Sequence, residues 1–97
     1  MYKFKQGVKL PYVLQGLIHF YSRSYQYLPA KEKEMIRQHC ETQGGEHARA
    51  LFEYVTTDST PTSICLRFYL GKSTLYRIVR KYYENFPLPY AWQKLLK

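Results

Sequence analysis

The stretch "TPTSICLRFYLGKSTLYRIVRKYYENF", residues 60–86, decides the fold because its apolar residues recur at helical spacing on both sides of a glycine. Thr60 is a residue type favoured at helix N-caps, and Pro61 suits the first helical position, where its missing N–H costs nothing. Ile64 and Phe68 then fall one turn apart on the same side. The first half of the stretch therefore predicts a short capped helix.

The second half of the stretch predicts another helix after Gly71. Its apolar residues trace one helical face: Leu75, Ile78, Val79, Tyr82 and Phe86. Pro87 must close this helix, because proline cannot continue a helical ladder. Two short helices joined by a turn form a helix-turn-helix layout, which we place at residues 61–86, with a short C-terminal tail at 87–97.

Prolines and glycines divide the preceding residues into further segments of helical length. From Pro11 onward one helical face contains Leu14, Leu17, Ile18, Tyr21 and Tyr25, and we expect Pro11 in the first turn. A second helix is predicted over residues 30–42 and ends at Gly44-Gly45. A third contains Ala48, Leu51, Phe52 and Val55. No stretch alternates as a strand would, so we predict one all-α domain over residues 1–97, a small bundle of about five helices ending in the helix-turn-helix.

Gly71-Lys72-Ser73 also permits a different interpretation, the end of a nucleotide-binding P-loop. That loop needs a glycine five positions earlier so that backbone N–H groups can surround the phosphates, and residue 66 is leucine. The loop also follows a buried strand, whereas residues 61–68 are predicted to be helical. The sequence therefore favours the helix-turn-helix over the phosphate loop.

Charge is distributed unevenly along the chain, whose formal net charge is +8. Residues 1–28 contain four basic residues and no acidic one, residues 29–60 contain four against six, and residues 61–97 contain seven against one. A basic C-terminal part beside an acidic middle is typical of a module that faces a polyanion, although a solvated basic surface is an equal alternative.

The outward face of the last helix has the chemistry expected for binding DNA. Residues 72–81 contain four positive charges and no acid. Ser73 is a good N-cap, and the free amides of such a helix start can bind a phosphate. Arginine can bind both O6 and N7 of a guanine, so we predict Arg77 as the leading base reader. We assign phosphate contacts to Arg80 and Lys81 and, from the basic N-terminal arm, to Lys3, Lys5 and Lys9.

The segment "FYLGKSTLYRI" resembles the C-terminal helix-turn-helix of the serine recombinase family of DNA invertases and resolvases, whose pattern runs F-G-[IV]-[GS]-x-S-T-[LV]-Y-R. It is also similar to the DNA-binding segment of small sporulation and phage regulators. The resemblance covers residues 61–80. It implies base contacts from Ser73 and Arg77 and phosphate contacts from Thr74 and Tyr76. The recombinase catalytic domain has no counterpart here, so the resemblance implies DNA binding without strand cleavage.

One departure from the family pattern matters for the shape of the turn. Tyr69 stands where the family has glycine, in a turn where that residue often takes a positive φ. Either Tyr69 accepts a left-handed conformation, or Gly71 absorbs the bend and the turn has another shape. Because of this departure, a motif with only a structural role, a helical hairpin within a core, stays an alternative to DNA binding.

These features predict a sequence-specific protein that binds double-stranded DNA, a small transcriptional regulator of a bacterium, phage or mobile element. Specificity would come from Ser73 and Arg77, with Lys72 as a further base contact. Because one recognition helix reads few base pairs, we expect a homodimer, with the aromatic first helix and the Trp92 tail as equal candidates for its interface. The alternative is a protein-interaction module, such as a phage-encoded inhibitor of a nucleic-acid-binding partner.

The remaining residues suggest no enzyme, cofactor, metal or small-molecule ligand. Cys40 and Cys65 lack metal-ligand spacing, and we expect both to be small core residues of a protein in a reducing compartment. The three histidines, His19, His39 and His47, are expected to be surface or half-buried polar groups. No apolar run approaches the roughly 20 residues of a membrane span, and no signal peptide is evident, so we expect a cytoplasmic protein.

Overall fold

The computed structural model describes residues 10–88, and within them every regular element is helical. The α-helices are α1 (Tyr12–Arg23), α2 (Ala30–Gly44), α3 (Ala48–Thr56), α4 (Pro61–Phe68) and α5 (Lys72–Glu84). Short 3-10 turns at Tyr25–Tyr27 and Gly45–His47 follow α1 and α2. The all-α class predicted from the apolar periodicity is therefore confirmed. No strand precedes Gly71 in this part of the chain, as a P-loop would require.

Prolines and glycines set most of the helix boundaries. Pro11 is the N-cap of α1 rather than a residue of its first turn, with an extended ψ of 147°. At the C-terminal end of α2, Gly45 takes φ 55°, a left-handed conformation that glycine adopts without strain. Gly45 ends the helix as predicted. The α2 helix continues to Gly44, beyond the predicted residue 42.

The end of α5 differs from the prediction. We expected Pro87 to close the helix, but the helix ends three residues earlier, at Glu84. A proline pushes the residue before it away from helical dihedrals, so Phe86 leaves the helix before the proline is reached. The N–H of Phe86 still donates to the carbonyl of Tyr83 at 3.4 Å, and its side chain remains buried. The apolar pattern therefore predicted burial at Phe86 correctly and helix at Phe86 wrongly.

One cluster of buried side chains includes residues from all of these α-helices. Its fully buried members include Ile18, Ile36, Leu51, Ile64 and Leu75, one from each helix. Burying such a side chain contributes about 1.5 to 3 kcal/mol relative to leaving it exposed. The core therefore fixes α4 and the first half of α5 against α2 and α3, so both helices present their remaining faces to solvent.

A buried polar network holds the second half of α5. The hydroxyls of Ser22 and Tyr82 lie 2.7 Å apart, which joins α1 to α5. His39 of α2 donates from Nε2 to the backbone carbonyl of Tyr82 at 2.7 Å. Both side-chain partners of Tyr82 are at least nine-tenths buried, so these hydrogen bonds satisfy groups that would otherwise be costly to desolvate. The expectation that His39 is a surface or half-buried group was wrong, because its ring fills space between α2 and α5.

The two cysteines occupy different environments. Cys40 is fully buried in the core, and burial raises the pKa of its thiol to about 12. It is therefore protonated at neutral pH and chemically inert, as expected for a small core residue. Cys65 on α4 is half-buried and packs against the same core. Over residues 10–88, none of the helices combines the length and the apolar character needed to cross a membrane.

Candidate nucleic-acid interface

The α4 helix begins with the cap predicted from the sequence. The Thr60 side chain accepts a hydrogen bond from the N–H of Ser63 at 3.1 Å, and Pro61 is the first helical residue. The cap satisfies one of the amides that a helix start leaves without an intrahelical partner. Ile64 lies one turn further on and is fully buried, so α4 is fixed both at its start and along its inner face.

The turn after α4 has the left-handed shape usually associated with glycine. Tyr69 takes φ 56° and ψ 50° and is the only non-glycine residue with positive φ among residues 10–88. The N–H of Leu70 donates to the carbonyl of Cys65 at 3.2 Å, the bond that defines a Schellman helix end. A left-handed conformation costs a residue with a Cβ about 1 to 2 kcal/mol. Of the two turn shapes considered from the sequence, the chain adopts the strained one.

Gly71 does not absorb the bend. Its φ of −81° and ψ of 157° are extended values available to any residue, and no neighbour approaches the place where a Cβ would stand. Only Tyr69, Leu70 and Gly71 separate α4 from α5. The bend between the two helices is therefore made at Tyr69.

The prediction that Ser73 caps α5 was wrong. Gly71 is the N-cap, the helix begins at Lys72, and no side chain caps its first turn. The carbonyl of Gly71 already accepts the first helical bond, from the N–H of Leu75 at 3.1 Å, which places Ser73 within the helix. Its exposed side chain is therefore not engaged in a cap, and the amides of the first turn remain available to an external anion.

The α5 helix has one buried and one exposed face. The buried face consists of Leu75, Ile78, Val79, Tyr82 and Tyr83. Of the seven predicted DNA contacts on this helix, six are exposed: Lys72, Ser73, Tyr76, Arg77, Arg80 and Lys81. The seventh, Thr74, is half-buried at the edge between the two faces. Lys3, Lys5 and Lys9, the predicted contacts of the N-terminal arm, lie outside the described residues, as does Trp92.

The basic side chains of α5 lack ion-pair partners in the described part of the chain. Within residues 10–88 none of these four side chains forms an ion pair: Lys72, Arg77, Arg80 and Lys81. By contrast, Arg23 lies 3.2 Å from Asp58, and Arg67 of α4 lies 3.6 Å from Glu53. The face therefore keeps a concentrated positive charge that is available to an anionic partner.

Tyr76 connects this face to α3, a feature that the sequence did not reveal. Its ring is about half exposed, and the pKa of the half-buried Tyr54 on α3 is raised mainly by burial and also by the proximity of the Tyr76 hydroxyl. The packing therefore brings the hydroxyls of Tyr54 and Tyr76, from two different helices, near each other. No periodicity in the sequence could indicate this, because the two residues are 22 positions apart on different helices.

An open cleft of about 380 Å³ lies elsewhere, between α2, α3 and α4. Its walls are formed by Arg37, Cys40, Glu41, Ala48, Arg49, Phe52, Glu53, Arg67 and Phe68. Its charges are mixed, and the Arg67–Glu53 pair occupies part of its rim. Sequence reasoning did not predict it, because three helices contribute its walls. The described residues contain no group of histidine, cysteine and acidic side chains that could hold a metal ion.

Comparison of the chain with protein-family models, with curated proteins and with solved structures finds no significant match. The resemblance to the recombinase helix-turn-helix therefore depends on the motif in residues 61–80.

Proposed function

We propose that this chain binds double-stranded DNA through the exposed face of α5, as a small transcriptional regulator of a bacterium, phage or mobile element. One observation carries the proposal: four basic side chains that form no ion pair within residues 10–88 lie on one face of a helix whose other face is fixed in the core. Neutralising phosphates with such groups releases condensed counterions, which is the main source of affinity for DNA.

The dimensions of α5 suit the major groove. Its 13 residues give a length of about 20 Å, and a helix with its side chains is about 10 to 12 Å wide, close to the major-groove width of about 12 Å. The N-terminal turn, with Lys72 and Ser73 exposed, would enter first, and the exposed Arg77 follows in the next turn. Arg77 would bind the O6 and N7 edge of a guanine, and Ser73 and Lys72 would contact neighbouring base edges.

Phosphate contacts would come from the flanks of the helix. Arg80 and Lys81 supply charge one turn beyond Arg77, and Thr74 and Tyr76 supply hydroxyl donors at its two edges. These contacts position the protein on the duplex without reading sequence. Lys3, Lys5 and Lys9 would add contacts from the N-terminal arm.

A homodimer would extend recognition to two half-sites about 34 to 36 Å apart. The α1 helix supports this proposal, since Val13 and Phe20 are both more than half exposed on a helix that has no charged residue before Arg23. Exposed apolar side chains about two turns apart are suited to packing against a second copy.

Selection of bound duplexes from a random DNA pool tests the proposal. We expect enrichment of a palindromic sequence whose half-sites are one helical turn apart. Enrichment of a non-palindromic site would contradict the proposed homodimer but not the proposed DNA binding. Failure to retain any duplex above background at low salt would contradict DNA binding and favour the protein-interaction alternative.

A further inference from the structure

Tyr69 has a backbone conformation that is costly to the fold and a side chain that is almost fully exposed. Its side chain is 92% exposed, and its backbone is in the left-handed region. Within residues 10–88 it takes part in no side-chain hydrogen bond, ring contact or ion pair. The turn itself is held by the backbone bond from Leu70 to Cys65, which glycine would permit without strain. Packing and turn formation therefore do not explain the tyrosine.

The surroundings of Tyr69 indicate what its ring could contact. Lys72 begins α5 three residues later and is exposed, and Tyr76 lies one turn into that helix with about half of its ring exposed. A phenol ring beside basic groups suits a sugar-phosphate backbone, because the ring packs against deoxyribose and the hydroxyl donates to a phosphate oxygen. Strained backbone conformations also concentrate at functional sites, where a contact outside the fold compensates for their cost.

We infer that Tyr69 is a DNA-contact residue: its exposed ring, in the turn that leads into α5, binds the sugar-phosphate backbone flanking the base edges read by that helix. This inference rests on the proposed function, and it adds a contact at the one position where the chain departs from the glycine of the family pattern. The turn then serves as a binding element as well as a connection between α4 and α5.

The test compares Tyr69→Gly, Tyr69→Asn and Tyr69→Phe with the wild-type chain in thermal denaturation and in fluorescence-anisotropy titrations of a labelled duplex retained in the selection. Glycine and asparagine both tolerate the left-handed conformation, so both variants should melt several degrees higher than the wild type. Both should bind the duplex about tenfold more weakly, the loss expected for removing one well-placed interface side chain. Phenylalanine keeps the ring and loses the hydroxyl, so its affinity should be intermediate.

Tyr27→Asn is the matched control, because Tyr27 is 80% exposed in the 3-10 turn after α1 and its loss should leave affinity unchanged. If the wild type binds the duplex and both Tyr69→Gly and Tyr69→Asn bind it with the same affinity, the inference is overturned and the proposed function is left intact. Melting temperatures below that of the wild type in both variants would show that the ring stabilises the turn. That result would also overturn the inference. A wild-type chain that binds no duplex would overturn the proposed function and this inference together.

Discussion

His39 illustrates how a single residue links stability to pH in this molecule. Its ring is 8% exposed between α2 and α5, and its Nε2 donates to the Tyr82 carbonyl. Burial lowers the pKa of His39, and the hydrogen bond from its ring to the Tyr82 carbonyl opposes that effect only in part. The folded protein therefore holds the neutral imidazole, whereas the unfolded chain protonates it near its ordinary pKa of about 6.5.

The sign of the resulting pH dependence follows from proton uptake. Below about pH 6.5 the unfolded state binds a proton that the folded state resists, so the free energy of unfolding falls as the pH falls. The contribution of the neutral His39 to the free energy of unfolding is complete above that pH and is lost progressively as the pH falls below it. We predict that urea denaturation of the wild type gives a lower free energy of unfolding at pH 5.5 than at pH 7.5.

The variant His39→Gln isolates this contribution. Its side-chain amide keeps a donor for the Tyr82 carbonyl but does not titrate, and His19 and His47 remain in both proteins. The decline in stability between pH 7.5 and pH 5.5 should therefore be smaller in the variant. An equal decline in both proteins would show that His39 is not the residue responsible.

The sequence predicted a turn before Lys72 but left open whether Tyr69 or Gly71 makes the bend. A tyrosine in that place is compatible with a strained turn or with a different turn, and the choice depends on whether Leu70 can donate to Cys65 while its side chain packs against the core. The burial of His39 was missed for a related reason. Its hydrogen-bond partner is a backbone carbonyl 43 residues away in the chain, and a local pattern in the sequence does not indicate a contact over that distance.

The two helices on either side of that bend begin in different ways. The start of α4 is capped by the Thr60 side chain, whereas the start of α5 has no side-chain cap and Ser73 lies inside the helix. Helix starts without a cap depend on solvent or on a bound anion to satisfy their amides.

We predict different effects for alanine at these two positions. Thr60→Ala should lower the free energy of unfolding by about 1 kcal/mol, because it removes the hydrogen bond to the amide of Ser63. Thr62→Ala, at an exposed position in the same turn, is the control and should change stability little. Ser73→Ala should also leave stability nearly unchanged and should weaken DNA binding instead. A loss of stability from Ser73→Ala equal to that from Thr60→Ala would mean that Ser73 caps the helix in solution.

Helix positions were predictable because each helix has enough periodic apolar residues to define a face. Boundaries were predictable where proline and a capping residue coincide, as at Thr60 and Pro61, or where glycine takes a left-handed conformation, as at Gly45. A helix boundary was missed where two residues are both suitable N-caps. Gly71 and Ser73 could each precede α5, and the extended backbone of Gly71 decides between them.

At the scale of the whole molecule, charge and packing separate the surface into two regions. The exposed face of α5 carries basic groups that pair with no acid in the described part of the chain, while the cleft between α2, α3 and α4 carries mixed charges. The uneven charge along the sequence predicted a basic C-terminal region but not the cleft. Only the packing of helices distant in sequence determines which side chains share a surface.

The salt dependence of binding tests the phosphate contacts at this scale. Lys81→Ala should weaken binding to all duplexes alike and should reduce the slope of log affinity against log salt by about one unit per bound chain. Lys31→Ala, which removes an exposed lysine on α2, is the matched control and should keep the wild-type slope. An unchanged slope for Lys81→Ala would place that lysine outside the interface.

The most direct test of sequence-specific binding through α5 is an anisotropy titration of the selected duplex and of its scrambled version with three proteins: the wild type, Arg77→Ala and Arg49→Ala. Arg49 is an exposed arginine of α3, so its variant controls for the loss of one positive charge. We predict that the wild type and Arg49→Ala prefer the selected duplex, and that Arg77→Ala loses about 10- to 100-fold of this preference, as expected for one bidentate guanine contact. Equal affinity of the wild type for both duplexes, or an unchanged preference in Arg77→Ala, would contradict the proposed recognition by α5.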